Sequence, residues 1–305
     1  MKVAASALLL AAALGGVSAH PSGNAHQHQH MHRSVEERGV KFVKVVKPVA
    51  EPTTTAQPTT TQAPAAPAQP TTTTKAAEPK PKPSTPASSG GDGQGVSTYT
   101  EFCGGEKTKR ATIAEIHYKG NVGTASNYGC NMMLAKSNVA DEYKYNVKIK
   151  NALAKEQECV GYLKIGPDGG VNGFFDGNEA VRFNLPANGV QYLVVDENTQ
   201  GGVVCGVGSI PLTNFGEFAS TWAEFDFGNE SNGGWSGADA SCLVSAAEGL
   251  DIPGLNLCGH GTCSTIYPGG EGKNAFLAGM EALDGLGLNI PAGKARLEVT
   301  VGYQG

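Results

Sequence analysis

Cysteine is absent from the first 102 residues of this 305-residue chain, and tryptophan occurs only at Trp222 and Trp235. Charged residues make up 17 % of the chain and aromatic ones 7 %. Beyond residue 95 there are only two histidines, His117 and His260. Each scarcity closes a class. Few histidines and no G-x-S-x-G elbow leave no nucleophile-and-base arrangement. Past the N-terminal residues no apolar run is long enough to span a bilayer, so no membrane insertion is expected. No apolar tail of the kind that a C-terminal lipid anchor requires is present either. Residues 1–95 carry 9 Lys+Arg against 5 Asp+Glu, whereas residues 96–305 carry 14 against 23. Nucleic acid needs a basic footprint, so it is excluded as a partner of the acidic part. Gly104-Gly105 and Gly201-Gly202 read as turn glycines and match no phosphate-binding pattern. No cofactor is expected.

The chain changes character near Gly95. Lys2, an apolar run over residues 3–14 and Val17-Ser18-Ala19 read as a secretory signal over residues 1–19. Residues 20–47 form a His-rich basic pro-region. His20 would be the new N-terminus, but Pro21 and the polar segment behind it do not build a rigid copper brace. His26, His28, His30 and His32 alternate and can hold Cu or Zn weakly. They read as a solvated segment, and no metal site is expected. Residues 48–95 are a Thr/Pro/Ser/Gly-rich linker, with ten of the 17 prolines and eleven threonines between residues 48 and 86. Such a stretch buries nothing and stays extended, as an O-glycosylated, disordered stalk.

Residues 96–305 are enough for one core. All seven cysteines lie here: Cys103, Cys130, Cys159, Cys205, Cys242, Cys258 and Cys263. In an exported chain they are disulfide partners first. Cys258 and Cys263 enclose a short glycine-rich loop and are expected to pair, which sets aside a Cys258/His260/Cys263 metal site. The other five leave one thiol over, and their pairing stays open. Asn229-Glu230-Ser231 is an N-glycosylation sequon, expected on a surface loop. Alternation predicts strands at residues 113–118, 145–149, 159–165, 180–185, 191–195, 221–227 and 295–303, separated by turns such as 166–170 and 186–189. Phe276, Leu277, Met280 and Leu283, with Gly285 as cap, predict a helix, and residues 243–248 a shorter one. The fold class is therefore all-β: a β-sandwich with one or two short helices, preceded by the disordered stalk.

One acidic constellation could carry chemistry. Glu224 and Asp226 are two apart in W-A-E-F-D-F and share a strand face, with Phe225 and Phe227 on the other. Asp239 follows Trp235-Ser236-Gly237, and Asp196-Glu197 end a predicted strand. A pair of carboxylates serves glycoside hydrolysis, so Glu224, Asp226 and Asp239 are the catalytic candidates. Solvated surface acids are the bland alternative. Trp235, among glycines, is placed to stack on a sugar ring, with Glu224, Asp226 and Asp239 beside it in a glycan-contact face. Trp222 reads as core, its N–H hydrogen-bonded.

Five ordered motifs carry a resemblance: Y-K-G-N-V-G at 118–123, K-I-G-P-D-G-G at 164–170, D-E-N-T-Q-G at 196–201, T-W-A-E-F-D-F at 221–227 and G-G-W-S-G-A-D at 233–239. Together they resemble the secreted fungal allergens of the Asp f four type over residues 103–303. The resemblance implies a secreted fungal protein recognised by host IgE, with no established enzymatic activity. Cys103, Cys258 and Cys263 fit its cysteine pattern. Cys130, Cys159, Cys205 and Cys242 look like additions, and Ala219-Ser220 stands in place of a cysteine. The W-A-E-F stretch and residues 237–250 are also similar to thaumatin-like proteins, which implies a sandwich with an acidic, glycan-facing groove. The reading is a non-catalytic protein associated with the cell wall or extracellular glycans, cell-wall polysaccharide being its partner. The alternatives are a β-glucan-active glycoside hydrolase and a host-directed interaction protein.

Overall fold

A computed structural model describes residues 93–105 and 120–305. The signal, the pro-region, nearly all of the linker, the strand at 113–118 and His117 lie outside the described residues. Fifteen strands and two short helices are present among the described residues. A two-stranded ribbon, β1 (Gly123–Thr124) and β2 (Asn127–Tyr128), leads into β3 (Met132–Ala135) and α1 (Ser137–Ala140). Then come β4 (Tyr145–Asn151), β5 (Gln157–Leu163), β6 (Val181–Leu185), β7 (Val190–Val195), β8 (Thr199–Val207), β9 (Trp222–Asn229) and β10 (Trp235–Ser241). After α2 (Leu243–Glu248) follow β11 (Leu255–Gly259), β12 (Thr262–Ile266), β13 (Gly272–Lys273), β14 (Leu288–Ile290) and β15 (Ala295–Val301).

Two sheets form a sandwich. One has six strands in the order β14-β10-β9-β8-β5-β6, the other seven in the order β13-β12-β11-β15-β4-β7-β3. All neighbours are antiparallel except β15, which lies parallel to β4. The core between the sheets is built by strict alternation. β9 sends Ala223, Phe225 and Phe227 inward, β15 sends Leu297, Val299 and Val301, and β4 sends Tyr145, Val147 and Ile149. Phe225 and Phe227 stack at 4.7 Å between ring centroids, and Phe227 stacks on Tyr145 at 5.1 Å. This continuous aromatic contact joins the two sheets.

Three disulfides brace the frame: Cys103–Cys130, Cys159–Cys205 and Cys258–Cys263. Cys159 and Cys205 face each other on β5 and β8, and Cys258 and Cys263 on the β11–β12 hairpin. Cys242 is the free cysteine among the described residues; burial pushes its thiol up to about 11, which leaves it unreactive.

Two expectations need correction. No helix forms over residues 276–285. Gly279 and Gly285 adopt φ of +79° and +73°, so the chain there is a run of turns. Phe276 is fully buried and bridges to Ser241, whereas Leu283 stays exposed. Gly201 and Gly202 are not turn glycines but lie inside β8. A Cβ at Gly201 would collide with the Tyr162 carbonyl, and one at Gly202 with the Tyr162 phenol. The close approach of β5 demands glycine there. By contrast α2 forms over the predicted residues and ends at Gly249, whose φ of +64° makes it the left-handed cap.

Replacing Phe227 with alanine removes the ring at the centre of this stack. The expected loss is about 3–5 kcal/mol, read as a lower urea midpoint with the fold otherwise retained.

Candidate functional site

The outer face of the six-stranded sheet holds the acidic constellation. Because β9 alternates, the residues that flank Phe225 and Phe227 must point away from the core. Glu224 and Asp226 therefore lie on the outer face with Trp222. Register then assembles two cross-strand rows. In the first, Asp239 of β10 pairs with Glu224, Glu224 with Gly202 of β8, and Gly202 with Tyr162 of β5. Since Gly202 has no side chain, the Tyr162 phenol occupies the space above it. In the second, Gly237 pairs with Asp226, and Asp226 with Gln200. Lys164, just beyond β5, donates its backbone N–H to the Gln200 carbonyl and its Nζ to Gln200 Oε1 at 3.3 Å.

The sequence-predicted acids are thus brought together, but not at a surface. Glu224 and Asp239 are 0 % exposed and Asp226 is 5 % exposed. Neither the solvated reading nor the exposed glycan-contact face holds for these three side chains. The physical reason is a cover. The loops at residues 164–180 and 208–221, with α2, pack Phe174, Ile210, Phe218 and Val244 onto Val160, Tyr162, Val204 and Trp222. On the far side, Gly287 lies so close to Asp239 that a Cβ would collide with the β10 backbone. Trp222 is core, its Nε1 donating to the Phe218 carbonyl at 3.1 Å. Trp235 opens β10 opposite Asn229 and is half-buried, in a strand rather than a loop.

Asn229 is also displaced from its expected surface loop. It is 1 % exposed, and the Nδ2 to which a glycan would attach donates to Asp226 Oδ2 at 2.6 Å. Its Oδ1 accepts from Ser231 Oγ and from the Asn232 N–H, which caps the short turn at Glu230–Asn232. Asp196 and Glu197 end β7 as predicted but serve another cluster: Glu197 accepts from Lys144 and from the Tyr145 hydroxyl. His260 sits on the β11–β12 turn at φ +48°.

The electrostatics follow from burial. Lys164 is 2 % exposed, and desolvation lowers its pKa from the usual 10.5 to about 8, against the opposing pull of Asp226 and Glu224. Tyr162 is pushed well above its usual value by burial, then by Glu224, Asp239 and Glu217. Glu217 reaches the cluster from the covering loop, where Thr213 Oγ1 accepts its backbone N–H at 3.1 Å. Four carboxylates therefore surround one lysine and one tyrosine in a low-dielectric setting. Among the described residues, no group of three or more His, Cys, Asp and Glu is arranged to hold a metal ion.

One arginine holds the cover down. Arg182, on edge strand β6, donates to Glu158 at 2.7 Å, Asp176 at 2.6 Å and Glu179 at 2.9 Å. Its guanidinium lies 5.7 Å from the centre of the Phe218 ring. Burial would raise the Glu179 carboxyl, but the Arg182 hydrogen bond, the backbone N–H donors of Glu179 and Gly177 and the Arg182 charge together hold the group below its usual range. Glu158 also accepts from the Ile210 N–H at 3.3 Å, and Asp176 donates its N–H to the Gly216 carbonyl at 2.9 Å. Both loops are tied to the sheet edge through this residue. Lys164, Tyr162, Gln200, Glu217 and Arg182 were not foreseen as site residues. The alternation of Tyr162 and Lys164 was a usable signal; Glu217, in an irregular loop, left none.

The sequence pattern of the Allergen Asp f 4-like domain matches residues 130–301. The protein "Allergen Asp f 4" of Aspergillus fumigatus is 34 % identical over 193 residues, covering 62 % of this chain and 59 % of that protein. The chain thus spans 59 % of the length of this relative. Among solved structures, the protein elicitor MoHrip2 of Magnaporthe oryzae aligns at a TM-score of 0.32 and 12 % identity, over 52 % of this chain and 99 % of that one. The thaumatin-like xylanase inhibitor TLXI aligns at 0.31 and 13 %, over 51 % and 97 %. Scores this low carry neither fold nor function across.

Lys164 gives the site a pH signature. Between about pH 8 and 10.5 the folded protein has shed a proton that the unfolded chain still holds. The unfolded state binds more protons, so this group makes stability rise with pH across that window. Comparison with Lys164→Met, by urea unfolding from pH 8 to 9.5, should show the difference moving in favour of the native sequence by about 1–2 kcal/mol. A flat difference would mean that Lys164 titrates normally.

Proposed function

Because this chain belongs to the Allergen Asp f 4-like family, we propose that it is a secreted fungal allergen-like protein without catalytic activity, associated with the cell wall or extracellular glycans. Three disulfides fit an oxidising compartment. No helix among the described residues is long and apolar enough to cross a membrane. The observation that carries the non-catalytic reading is the burial of the carboxylates. A general acid must come within hydrogen-bond reach of the glycosidic oxygen, and Glu224 and Asp239 lie fully beneath the cover. The glycan contact then falls to Trp235, half-exposed at the start of β10. Glu224, Asp226 and Asp239 act from behind it by fixing β9 and β10. Recognition by host IgE belongs to the same proposal, and serum from subjects sensitised to the relative would test it.

One observation favours the hydrolase alternative: Glu224 and Asp239 stand directly opposite each other across β9 and β10. Facing residues have Cβ atoms about 4.5–5.5 Å apart, a separation that suits paired carboxylates once a cover opens. The full secreted chain should co-sediment with insoluble β-1,3-glucan or chitin and release no sugar, and Trp235→Ala should weaken binding roughly tenfold. Sugar release abolished by Glu224→Gln would overturn the non-catalytic reading. Binding untouched by Trp235→Ala would move the contact elsewhere.

A further inference from the structure

The outer face of the seven-stranded sheet is unlike the sealed acidic one. Its β3–β7 end is covered: α1, the turn that follows it and the segment at residues 96–102 pack Val139, Tyr143, Val96 and Phe102 onto Met133, Tyr192 and Val194. The rest stays open, and register lays two rows of side chains across it. One runs Lys148–Glu298–Cys258–Cys263, the other Lys150–Thr300–Asn256–Thr265–Lys273. Lys150, Glu298, Cys263 and Lys273 are exposed, and Lys148, Thr300, Asn256 and Cys258 half-exposed.

The charge of this strip opposes that of the domain around it. Residues 96–305 carry 14 basic and 23 acidic side chains. The two rows hold three lysines and one acid, Glu298, which is paired with Lys148 at 3.3 Å. Arg296, next along β15, is engaged with Asp141. Lys150 and Lys273 enter no ion pair among the described residues. Four strand intervals separate them, roughly 19 Å, with the Thr300 hydroxyl and the Asn256 amide between. The Cys258–Cys263 bridge makes one end of the strip rigid.

We propose that this strip binds a linear anionic polysaccharide laid across the strands, its carboxylate or sulfate groups meeting Lys150, Lys148 and Lys273. The inference is independent of Trp235 and of the acidic face. A membrane surface fits less well. Among the described residues, the exposed large hydrophobic side chains, Tyr99, Val207, Leu212, Phe215 and Leu283, all lie outside the two rows, so the strip itself offers no side chain to insert into lipid. Nucleic acid fits less well because the acidic remainder repels a polymer wider than the strip.

The test uses the full secreted chain with polygalacturonate, a neutral glucan of similar length and phosphatidylserine-containing vesicles, over a series of salt concentrations. Polygalacturonate should bind in preference to the other two and weaken as salt rises. Lys150→Glu/Lys273→Glu should lower the affinity about tenfold or more, with an unchanged thermal midpoint. Glu298→Lys should raise it several-fold, a gain that misfolding cannot imitate. The proposal is overturned if polygalacturonate binds no better than the neutral glucan, if both variants bind like the native chain, or if only the vesicles are bound.

Discussion

Everything in the six-stranded sheet depends on the two-residue period of β9. Phe225 and Phe227 are needed in the core, where they stack on each other and on Tyr145. The same pleat then commits Glu224 and Asp226 to the opposite face. On a solvated face this would cost nothing. Here Trp222, Val204, Tyr162 and Val160 occupy that face too and require a cover of their own. The apolar demand of the flank seals the acids beside it.

Sealed carboxylates need compensation, because a buried charge without hydrogen bonds or a counter-charge is strongly unfavourable. The structure supplies it from the neighbouring strands. Asn229 donates to Asp226. Lys164 lies within electrostatic reach of Asp226 and Glu224, and its own proton is loosened by the same burial. Arg182 holds three carboxylates at the sheet edge and anchors both covering loops. The cover and the cluster are therefore interdependent. Removing a partner leaves a charge in a dry place, and opening the cover hydrates it.

How much of this was legible follows from the range of each interaction. W-A-E-F-D-F announced its strand and the destination of its phenylalanines, since alternation is local. The Cys258–Cys263 hairpin and the Gly249-capped α2 were equally local. Gly201-Gly202 misled because a glycine pair reads as a turn, whereas its cause, Tyr162 on the adjacent strand, lies about forty positions away. The helix expected over residues 276–285 failed because the apolar spacing was right and the backbone was not. Gly279 takes a left-handed conformation within the stripe, and Phe276 is drawn into a bridge with Ser241. The burial of Glu224 and Asp239 was the least legible. It is decided by Phe174, Ile210 and Phe218, in loops whose docking no local pattern encodes.

The two outer faces thus play different electrostatic parts. The acidic cluster lies buried under low-dielectric walls, from where it adds to the field of the domain. The polar strip on the other sheet is exposed and carries the opposite sign, so the two contacts proposed above, there and at the half-buried Trp235, both lie outside the sealed cluster. A substitution at Glu224 or Asp239 acts first on stability, through β9, β10 and their cover. A substitution at Lys150 or Lys273 has no buried partner to disturb. Loss of function at the acids, taken alone, is therefore weak support for catalysis. It becomes strong only when the variant folds as the native chain does, and the cross-strand place of Glu224 between Gly202 and Asp239 makes Glu224→Gln, with its nearly unchanged shape, the substitution best able to separate the two.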